Sequence, residues 1–509
     1  MEIAENAEDV QTSAQAVAPV PEPVAAPRRR SPAVRRAVVA AVTGCAVLGG
    51  VLVLLPDDGP ASKPAPLPGP AGRAVIAAAV GAPAALPDLT ALIGEREARV
   101  RTHPRDGLSW AALGAAYVER GSRTARTDDF PKADRALRSS LTARPKGNVE
   151  ALDGLAALAA ARGDWRGARE YGEAAVKLAP KRWSSYVSLV DGYRGTGDYK
   201  AADRTLEKLS GLSSGAGTAV TLRTAAVYGD RGWREDAAAV LVDASARAGT
   251  PAERAALLQR GGDLAWDRGE PADALRHQDA ALAADPSCHG ALAGRARALA
   301  SLGRTAEAVK AYQLALAKRP EPQYSLELGE LFESLGDERA AGAQYAALRA
   351  RVAAQRAHGV DDALVLGRFE ADHGDPEAAV ARLRAEWSRA PGIAVADALG
   401  WAYHRAGDED AAHWFLRRAT DRQKGGTVRN ASYSYHLGAV ERELGLYGAA
   451  RRHLGEALRI NPGFSPLYGP EAQEALDALG SPPEGGVPQM WPPKPPVAPA
   501  SHRVAPKRR

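Results

Sequence analysis

One pattern recurs between residues 106 and 462, and it constrains the fold more than any other feature of the sequence. Its clearest copy occupies residues 433–462 and reads YSYHLGAVERELGLYGAARRHLGEALRINP. Apolar and small residues recur there at spacings of three and four, which predicts amphipathic helices. Gly445 interrupts this spacing because glycine readily takes positive φ, and Pro462 ends it because proline cannot continue a helix. The copy therefore predicts two helices joined by a tight turn.

About ten copies share these features, more than the roughly three that a stable repeat array needs. Gly438 and Ala450 mark positions where a larger side chain would hold the two helices of a pair apart. With its period of about 34 residues, the pattern resembles the tetratricopeptide repeat. The resemblance implies an all-α fold, a right-handed solenoid of stacked helix pairs. The predicted turn glycines are Gly121, Gly163, Gly197, Gly232, Gly269, Gly303, Gly336, Gly374, Gly407 and Gly445.

The composition agrees with an array of closely packed helices. Aromatic residues make up only 6% of the 509 residues, and the net charge is +5 from 66 basic and 61 acidic side chains. So small an excess of positive charge does not favour a nucleic-acid partner. The two cysteines, Cys45 and Cys288, do not indicate a disulfide framework. A composition rich in Ala, Arg, Gly and Pro suggests an actinobacterial source.

The solenoid is expected to span residues 86–480. Residues 86–104 resemble an isolated second helix and are predicted to cap the array at its N-terminal end. Residues 470–480, PEAQEALDALG, are predicted to form the C-terminal capping helix, with a polar outer face. Residues 481–509 are rich in proline, end in Lys-Arg-Arg and predict a disordered basic tail.

The N-terminal part carries a candidate membrane segment. Residues 37–55 contain no charged residue and would span ~28 Å as a helix, enough for a bilayer core. The arginines in residues 1–36, a predicted disordered segment, place the N-terminus in the cytoplasm. Residues 37–55 thus predict a single-pass signal anchor in the cell membrane, with the repeats outside the cytoplasm. Residues 56–85 contain six prolines between 56 and 70 and predict an extended linker.

Two alternatives for residues 37–55 stay open. A cleaved secretory signal is one, although the apolar stretch is longer than the usual apolar core of about 7–15 residues. A lipoprotein signal is the other, since Val-Thr-Gly-Cys at residues 42–45 resembles a lipobox. The apolar run continues after Cys45, however, where a lipoprotein normally becomes polar.

The lack of a complete catalytic motif in the sequence predicts that the chain is not an enzyme and needs no cofactor or metal. Residues 211–215 match GxSxG, but that motif requires a preceding strand, and a helical repeat precedes it here. His404 and His413 lie in neighbouring predicted helices of one repeat, but nothing else supplies a metal set, and a solvent-facing or satisfied histidine is the favoured interpretation. Asp361 with Asp362 is explained as a helix start. Cys288 is interpreted as packing filler.

The resemblance implies that the first helix of each pair lines a concave groove that binds a protein or peptide, with no small-molecule substrate. Trp266 and Trp401 stand out because an exposed tryptophan needs a reason. The predicted function is a membrane-tethered scaffold or adaptor; the alternative is a regulatory or assembly subunit of a cell-envelope enzyme complex. The chaperone-binding subclass is not favoured, because its asparagines are missing. The residues at the groove positions are Asp191, Arg194, Asp263, Trp266, Asp267, Arg297, Glu330, Glu333, Arg368, Trp401, His404, Arg405, Tyr435 and Arg442.

Overall fold

The structure, a computed structural model, describes residues 68–124, 126–213, 217–420 and 429–481. Every regular element in these ranges is an α-helix. The helices are α1 (Pro70–Ala79), α2 (Leu86–Thr102), α3 (Gly107–Thr124), α4 (Asp129–Ala143), α5 (Val149–Ala161), α6 (Trp165–Leu178), α7 (Ser184–Gly195), α8 (Tyr199–Leu212), α9 (Thr218–Asp230), α10 (Arg234–Arg247), α11 (Pro251–Asp267), α12 (Pro271–Ala284), α13 (His289–Ser301), α14 (Thr305–Lys318), α15 (Pro322–Ser334), α16 (Glu338–Arg356), α17 (Ala363–His373), α18 (Pro376–Arg389), α19 (Ile393–Arg405), α20 (Glu409–Thr420), α21 (Ala431–Glu443), α22 (Tyr447–Ile460) and α23 (Tyr468–Leu479).

Consecutive helices pack as hairpins, from α1 with α2 to α21 with α22, and the single helix α23 follows. The ten hairpins from α3 to α22 correspond to the ten predicted repeats. Each hairpin also packs against the next, so the buried residues form a continuous series of clusters along the array. The predicted all-helical repeat fold is confirmed.

The turns within the hairpins are built by glycine and often by the aspartate that follows. Gly163 has φ 77°, and the carboxylate of the next residue, Asp164, accepts a hydrogen bond from the Gly167 N–H at 2.9 Å. The pair thus ends one helix and caps the next. Two predicted turn glycines differ: Gly121 lies inside α3, and Gly374 has φ −142°. The turn glycines with positive φ are Gly163, Gly197, Gly232, Gly269, Gly303, Gly336, Gly407 and Gly445.

The small residues within the helices permit close approach, as the sequence predicts. A Cβ on Gly438 would lie 2.9 Å from Leu454 Cγ, and Ala450 is fully buried. A Cβ on Gly114 would likewise lie 2.5 Å from Leu137 Cγ. These separations are shorter than carbon atoms tolerate, so any larger side chain would push the hairpin apart.

The N-terminal end of the array differs from the prediction. Residues 70–79 fall in the predicted extended linker but form α1, and α2 is the partner of α1 and not an isolated helix. Pro70 occupies the first turn of α1, where its missing N–H costs nothing, and the alanine-rich sequence after it favours a helix. Arg73 forms an ion pair with Asp88 at 2.5 Å, which ties α1 to α2.

Within the described ranges, no helix combines the length and the apolar character required to cross a bilayer. The predicted membrane segment at 37–55, most of the linker and the tail from residue 482 lie outside those ranges.

The superhelix brings distant repeats into contact. The Asp361 N–H donates to the Arg162 carbonyl oxygen at 2.7 Å, and the Asn461 side chain donates to the Trp266 carbonyl oxygen at 2.8 Å. Trp266 and Asn461 are 195 residues apart. Arg162 lies in the turn between α5 and α6, and Asp361 lies just before α17, the first helix of the hairpin six units later. Trp266 lies at the end of α11, and Asn461 lies before α23, which takes the place of the hairpin six units later. One superhelical turn therefore contains about six hairpins and rests on the next.

Candidate binding groove

Two cavities lie on the inner side of the superhelix. The first, the front cavity, has a volume of ≈ 1100 Å³ and is lined mainly by α3, α5, α7 and α9. The second, the rear cavity, has a volume of ≈ 560 Å³ and is lined by α11, α13, α15, α17, α19, α21 and the segment from Pro462 to Pro470. The helices that line them are chiefly the first members of their hairpins. Tyr433 of α21 borders both cavities.

The floor of the front cavity is made largely of small side chains. Alanines of α3 and α5 leave space that larger residues would fill, and Ala115 is exposed within it. The backbone from Gly392 to Val395, at the start of α19, covers part of the opposite side. The front cavity therefore lies between successive superhelical turns, is open to solvent on one side and exceeds the ~300–1,000 Å³ of ordinary small-molecule pockets.

Every arginine that lines the front cavity is paired with a carboxylate. Five carboxylates and three arginines line it, and each arginine has an acidic partner. The surface therefore offers paired polar groups and an excess of carboxylates over arginines. The pairs are Arg182 with Asp153 at 2.9 Å, Arg194 with Asp230 at 2.5 Å and Arg223 with Asp191 at 2.7 Å.

The rear cavity is richer in aromatic side chains, drawn from three different kinds of element. Trp401 comes from a first helix, Tyr312 from a second helix, and Phe464 from the segment before α23. The indole N–H of Trp266 donates to Ser301 Oγ at 3.0 Å, and Ser301 Oγ in turn lies 3.0 Å from the Gly463 carbonyl oxygen. This chain of contacts fixes one wall of the cavity across two superhelical turns.

Four carboxylates line the rear cavity, and each has a partner. Burial raises the pKa of Glu330, whereas the hydrogen bond and charge of His373 act against this rise. Arg368 differs from the carboxylates, because it makes no hydrogen bond or ion pair with any described residue. The carboxylate contacts are Glu327 with Arg297 at 3.5 Å, Glu330 with His373 at 3.8 Å, Asp372 with the Trp401 indole at 2.8 Å and Asp397 with His436 at 2.9 Å.

Half of the fourteen residues predicted for the groove line one of the cavities. Those in the front cavity are Asp191 and Arg194, and those in the rear cavity are Trp266, Arg297, Glu330, Arg368 and Trp401. The other seven make contacts elsewhere. They are Asp263, Asp267, Glu333, His404, Arg405, Tyr435 and Arg442.

The contacts of these seven are mostly structural. Asp263 accepts a hydrogen bond from Gln278 Nε2 at 3.2 Å inside its hairpin, and burial raises the pKa of Asp267 to about 6. Glu333 accepts a hydrogen bond from Tyr345 at 2.6 Å. His404 pairs with Glu409, Arg405 with Asp372 and Arg442 with Glu443.

The exposure expected for Trp401 is wrong. Its side chain is 4% exposed, stacks on His436 with ring centroids 4.3 Å apart and contacts Tyr435, which is 1% exposed. The tryptophan packs there because α23 folds back and places Tyr468 against it. Trp266, by contrast, is half-buried and borders the rear cavity.

Several residues that line the cavities were not predicted from the sequence. Arg223 and Glu327 lie on first helices, but at positions other than those taken from the family pattern. Tyr312, Gly392 and Phe464 come from a second helix and from junctions. No local sequence signal marks junction residues as lining residues, because their position depends on how the superhelical turns meet.

The described residues contain no group of three or more His, Cys, Asp and Glu side chains placed to hold a metal ion. Cys288 is half-buried, and burial raises the pKa of its thiol, which makes it a poor nucleophile. Ser213 of the GxSxG match directly follows the helix α8, and the next two positions lie outside the described residues. Asp362 precedes α17, as expected of a helix start.

Comparison with known proteins supports the repeat assignment. Residues 260–321, which span α11 to α14, match the family model described as tetratricopeptide repeat. No curated protein has a significant sequence match to the chain.

Among solved structures, a human IFIT1 dimer with PPP-AAAA is similar at 16% identity and a TM-score of 0.43, covering 62% of this chain and 72% of that one. A tetratricopeptide repeat protein from Parabacteroides merdae has 16% identity and a TM-score of 0.31, covering 52% and 100%. The Cut9–Hcn1 complex has 14% identity and a TM-score of 0.30, covering 80% and 94%.

Proposed function

Because the chain is a tetratricopeptide-repeat protein, we propose that it is a scaffold or adaptor that holds an extended segment of a partner protein in its inner groove. The observation that carries this proposal is the pair of cavities, ≈ 1100 and ≈ 560 Å³, lined by the first helices of successive hairpins. Their mixture of aromatic side chains and paired charges suits a peptide with alternating apolar and polar groups.

The closure of the groove on one side favours an extended segment over a folded domain. Contacts such as those of Arg162 with Asp361 and of Trp266 with Asn461 close the superhelix on one side. A folded domain would have to break these contacts, whereas a single extended chain occupies only the space that the small residues leave free. The partner would therefore contribute a loop, a linker or a terminal segment.

Charge favours protein over nucleic acid as the partner. Carboxylates outnumber arginines by five to three in the front cavity and by four to two in the rear cavity. A nucleic acid carries one negative charge per nucleotide and is held by an excess of Lys and Arg. These cavities offer the opposite excess.

The proposal includes a membrane tether formed by residues 37–55, which places the repeats outside the cytoplasm. The uncharged sequence of this segment and the arginines before it support this arrangement. Protease treatment of intact cells tests the orientation: degradation of the repeats is expected, and their full protection would contradict the placement. In this proposal any catalysis belongs to the partner, which makes a subunit of a cell-envelope enzyme complex the second form of the same role.

Affinity capture with the full chain from detergent-solubilised membranes tests the binding role. Ala115→Trp fills the front cavity and Ser432→Trp fills the rear cavity, whereas Ala317→Trp adds the same bulk to an exposed position of α14 away from both. We expect the wild type and Ala317→Trp to capture a partner protein that at least one of the two cavity variants, Ala115→Trp or Ser432→Trp, fails to capture. Equal retention by all four chains would show that binding does not use the groove.

A further inference from the structure

Arg368 is a charged side chain that has no polar partner among the described residues. It lies on α17, is half-buried and lines the rear cavity. It forms no hydrogen bond and no ion pair with any described residue, and its guanidinium stacks on no aromatic ring in the described ranges.

The other arginines of the two cavities have the carboxylate partner that Arg368 lacks. Arg182, Arg194, Arg223 and Arg297 each have at least one carboxylate within 4.0 Å. The four carboxylates of the rear cavity are engaged elsewhere, with Arg297, with histidines or with the Trp401 indole. Arg368 is therefore the cation of these cavities for which the described residues provide no anion.

A partly buried guanidinium loses hydration and regains free energy when an anion pairs with it. We propose that Arg368 binds one carboxylate of the partner's extended segment and so fixes the register of that segment in the rear cavity. This inference rests on the proposed function, because it assigns a contact within the same groove. Arg368 is a positioning contact for the partner and takes part in no ion pair among the described residues.

The surroundings of Arg368 favour a carboxylate over a phosphate. A phosphorylated side chain carries about −1.5 to −2 charges, and it would face the carboxylates of Glu330, Asp372 and Asp397 in the same cavity. A carboxylate carries a single charge and can accept two parallel N–H bonds from the guanidinium. The aromatic rings of Trp266 and Tyr433, which also line the cavity, suit apolar residues that flank the acidic one.

A peptide selection on the full chain tests this assignment without knowledge of the partner. A library of randomised linear decapeptides is screened for binding to the wild type, Arg368→Gln and Arg384→Gln. Each peptide is fused at both ends so that it presents no free terminus. Arg384 is an exposed arginine in the second helix of the same hairpin and serves as the matched control. A second library with free C-termini distinguishes a terminal carboxylate from that of a side chain.

We expect wild type and Arg384→Gln to enrich peptides with Asp or Glu at one fixed position, and Arg368→Gln to lose that preference. Replacing this acid by its amide in the selected peptide should weaken binding to the wild type by roughly tenfold to a hundredfold, and leave binding to Arg368→Gln unchanged. Enrichment of peptides with no acidic position would overturn the assignment while leaving the groove function intact, and so would tighter binding of the selected peptide when phosphoserine replaces its acidic residue. Failure of all three chains to enrich any peptide would count against the groove function itself.

Discussion

The hydroxyl of Tyr199 accepts a hydrogen bond from the Ile393 N–H at 2.9 Å, although the two residues are 194 positions apart. Tyr199 opens the second helix of one hairpin, and Ile393 opens the first helix of the hairpin six units later. The bond joins two superhelical turns beside the front cavity, which both residues line. Contacts of this kind set the separation of the turns and thereby the width of the groove.

Tyr199→Phe should lower the stability of the chain by about 1–3 kcal/mol, because the Ile393 N–H loses its partner in a partly buried position. Thermal unfolding measures the loss, and amide exchange at Ile393 should accelerate. Tyr447→Phe is the control, since the Tyr447 side chain is 57% exposed. Identical exchange at Ile393 in all three chains would mean that the hydrogen bond does not hold the turns together.

Gly197→Ala and Gly303→Ala should differ in cost, although the two glycines have φ 73° and 72°. The strain of positive φ is common to both variants. A Cβ on Gly197 would also lie 2.5 Å from the Pro391 carbonyl oxygen, whereas a Cβ on Gly303 meets nothing within 4 Å. Gly197→Ala is expected to be less stable than Gly303→Ala by about 1–3 kcal/mol. Equal melting temperatures would argue that the turns do not rest on one another in solution.

Arg297→Gln should destabilise the chain, whereas Arg368→Gln should leave its stability nearly unchanged. Arg297 pairs with Glu327 at 3.5 Å and with Asp263 at 3.7 Å, so its loss leaves two partly buried carboxylates uncompensated. Arg368 has no such partner among the described residues, and its replacement leaves no group unpaired. Chemical denaturation should show a loss of several kcal/mol for Arg297→Gln and a change within about 0.5 kcal/mol for Arg368→Gln. A comparable loss in both would show that Arg368 has a structural role.

The stability of the chain should depend on the ionisation of Asp362. Burial, together with Glu321 and Asp361, raises the pKa of its carboxyl from 3.8 to about 7. Between these values the folded state retains a proton that the unfolded chain has released, so this group's contribution to stability falls as pH rises.

Asp362→Asn removes that dependence, and its melting temperature should exceed that of the wild type at pH 8 by more than at pH 5. Asp410→Asn, a substitution of an exposed acid at the start of α20, should leave the pH profile of the wild type unchanged. If the melting temperature of Asp362→Asn depended on pH in the same way as that of the wild type, the raised pKa of Asp362 would be contradicted.

The hairpins could be predicted because their determinants are local. Gly438 and Leu454, for example, are only 16 positions apart in the sequence. The same packing of a small residue against a large one recurs in other hairpins, as with Gly114 and Leu137. The helix α1 was missed because the prolines that precede Pro70 suggested an extended linker, although Pro70 itself is compatible with the first turn of a helix.

The closure of the groove on one side could not be predicted in the same way. It depends on the small rotation between successive hairpins, which accumulates over six units before Tyr199 meets Ile393. The burial of Trp401 has a similar origin, since it requires α23 to fold back against α21. Residues on first helices could be proposed for the groove, whereas those contributed by junctions could not.

Hydrogen–deuterium exchange of the full chain, alone and with its captured partner, tests the central claim most directly. A segment held in the groove should slow exchange in the first helices that line the cavities, such as α3, α7, α15 and α19, and leave unchanged the second helices α10 and α18, which line neither cavity. Protection confined to these second helices, or no protection at all in the presence of a bound partner, would contradict binding in the groove.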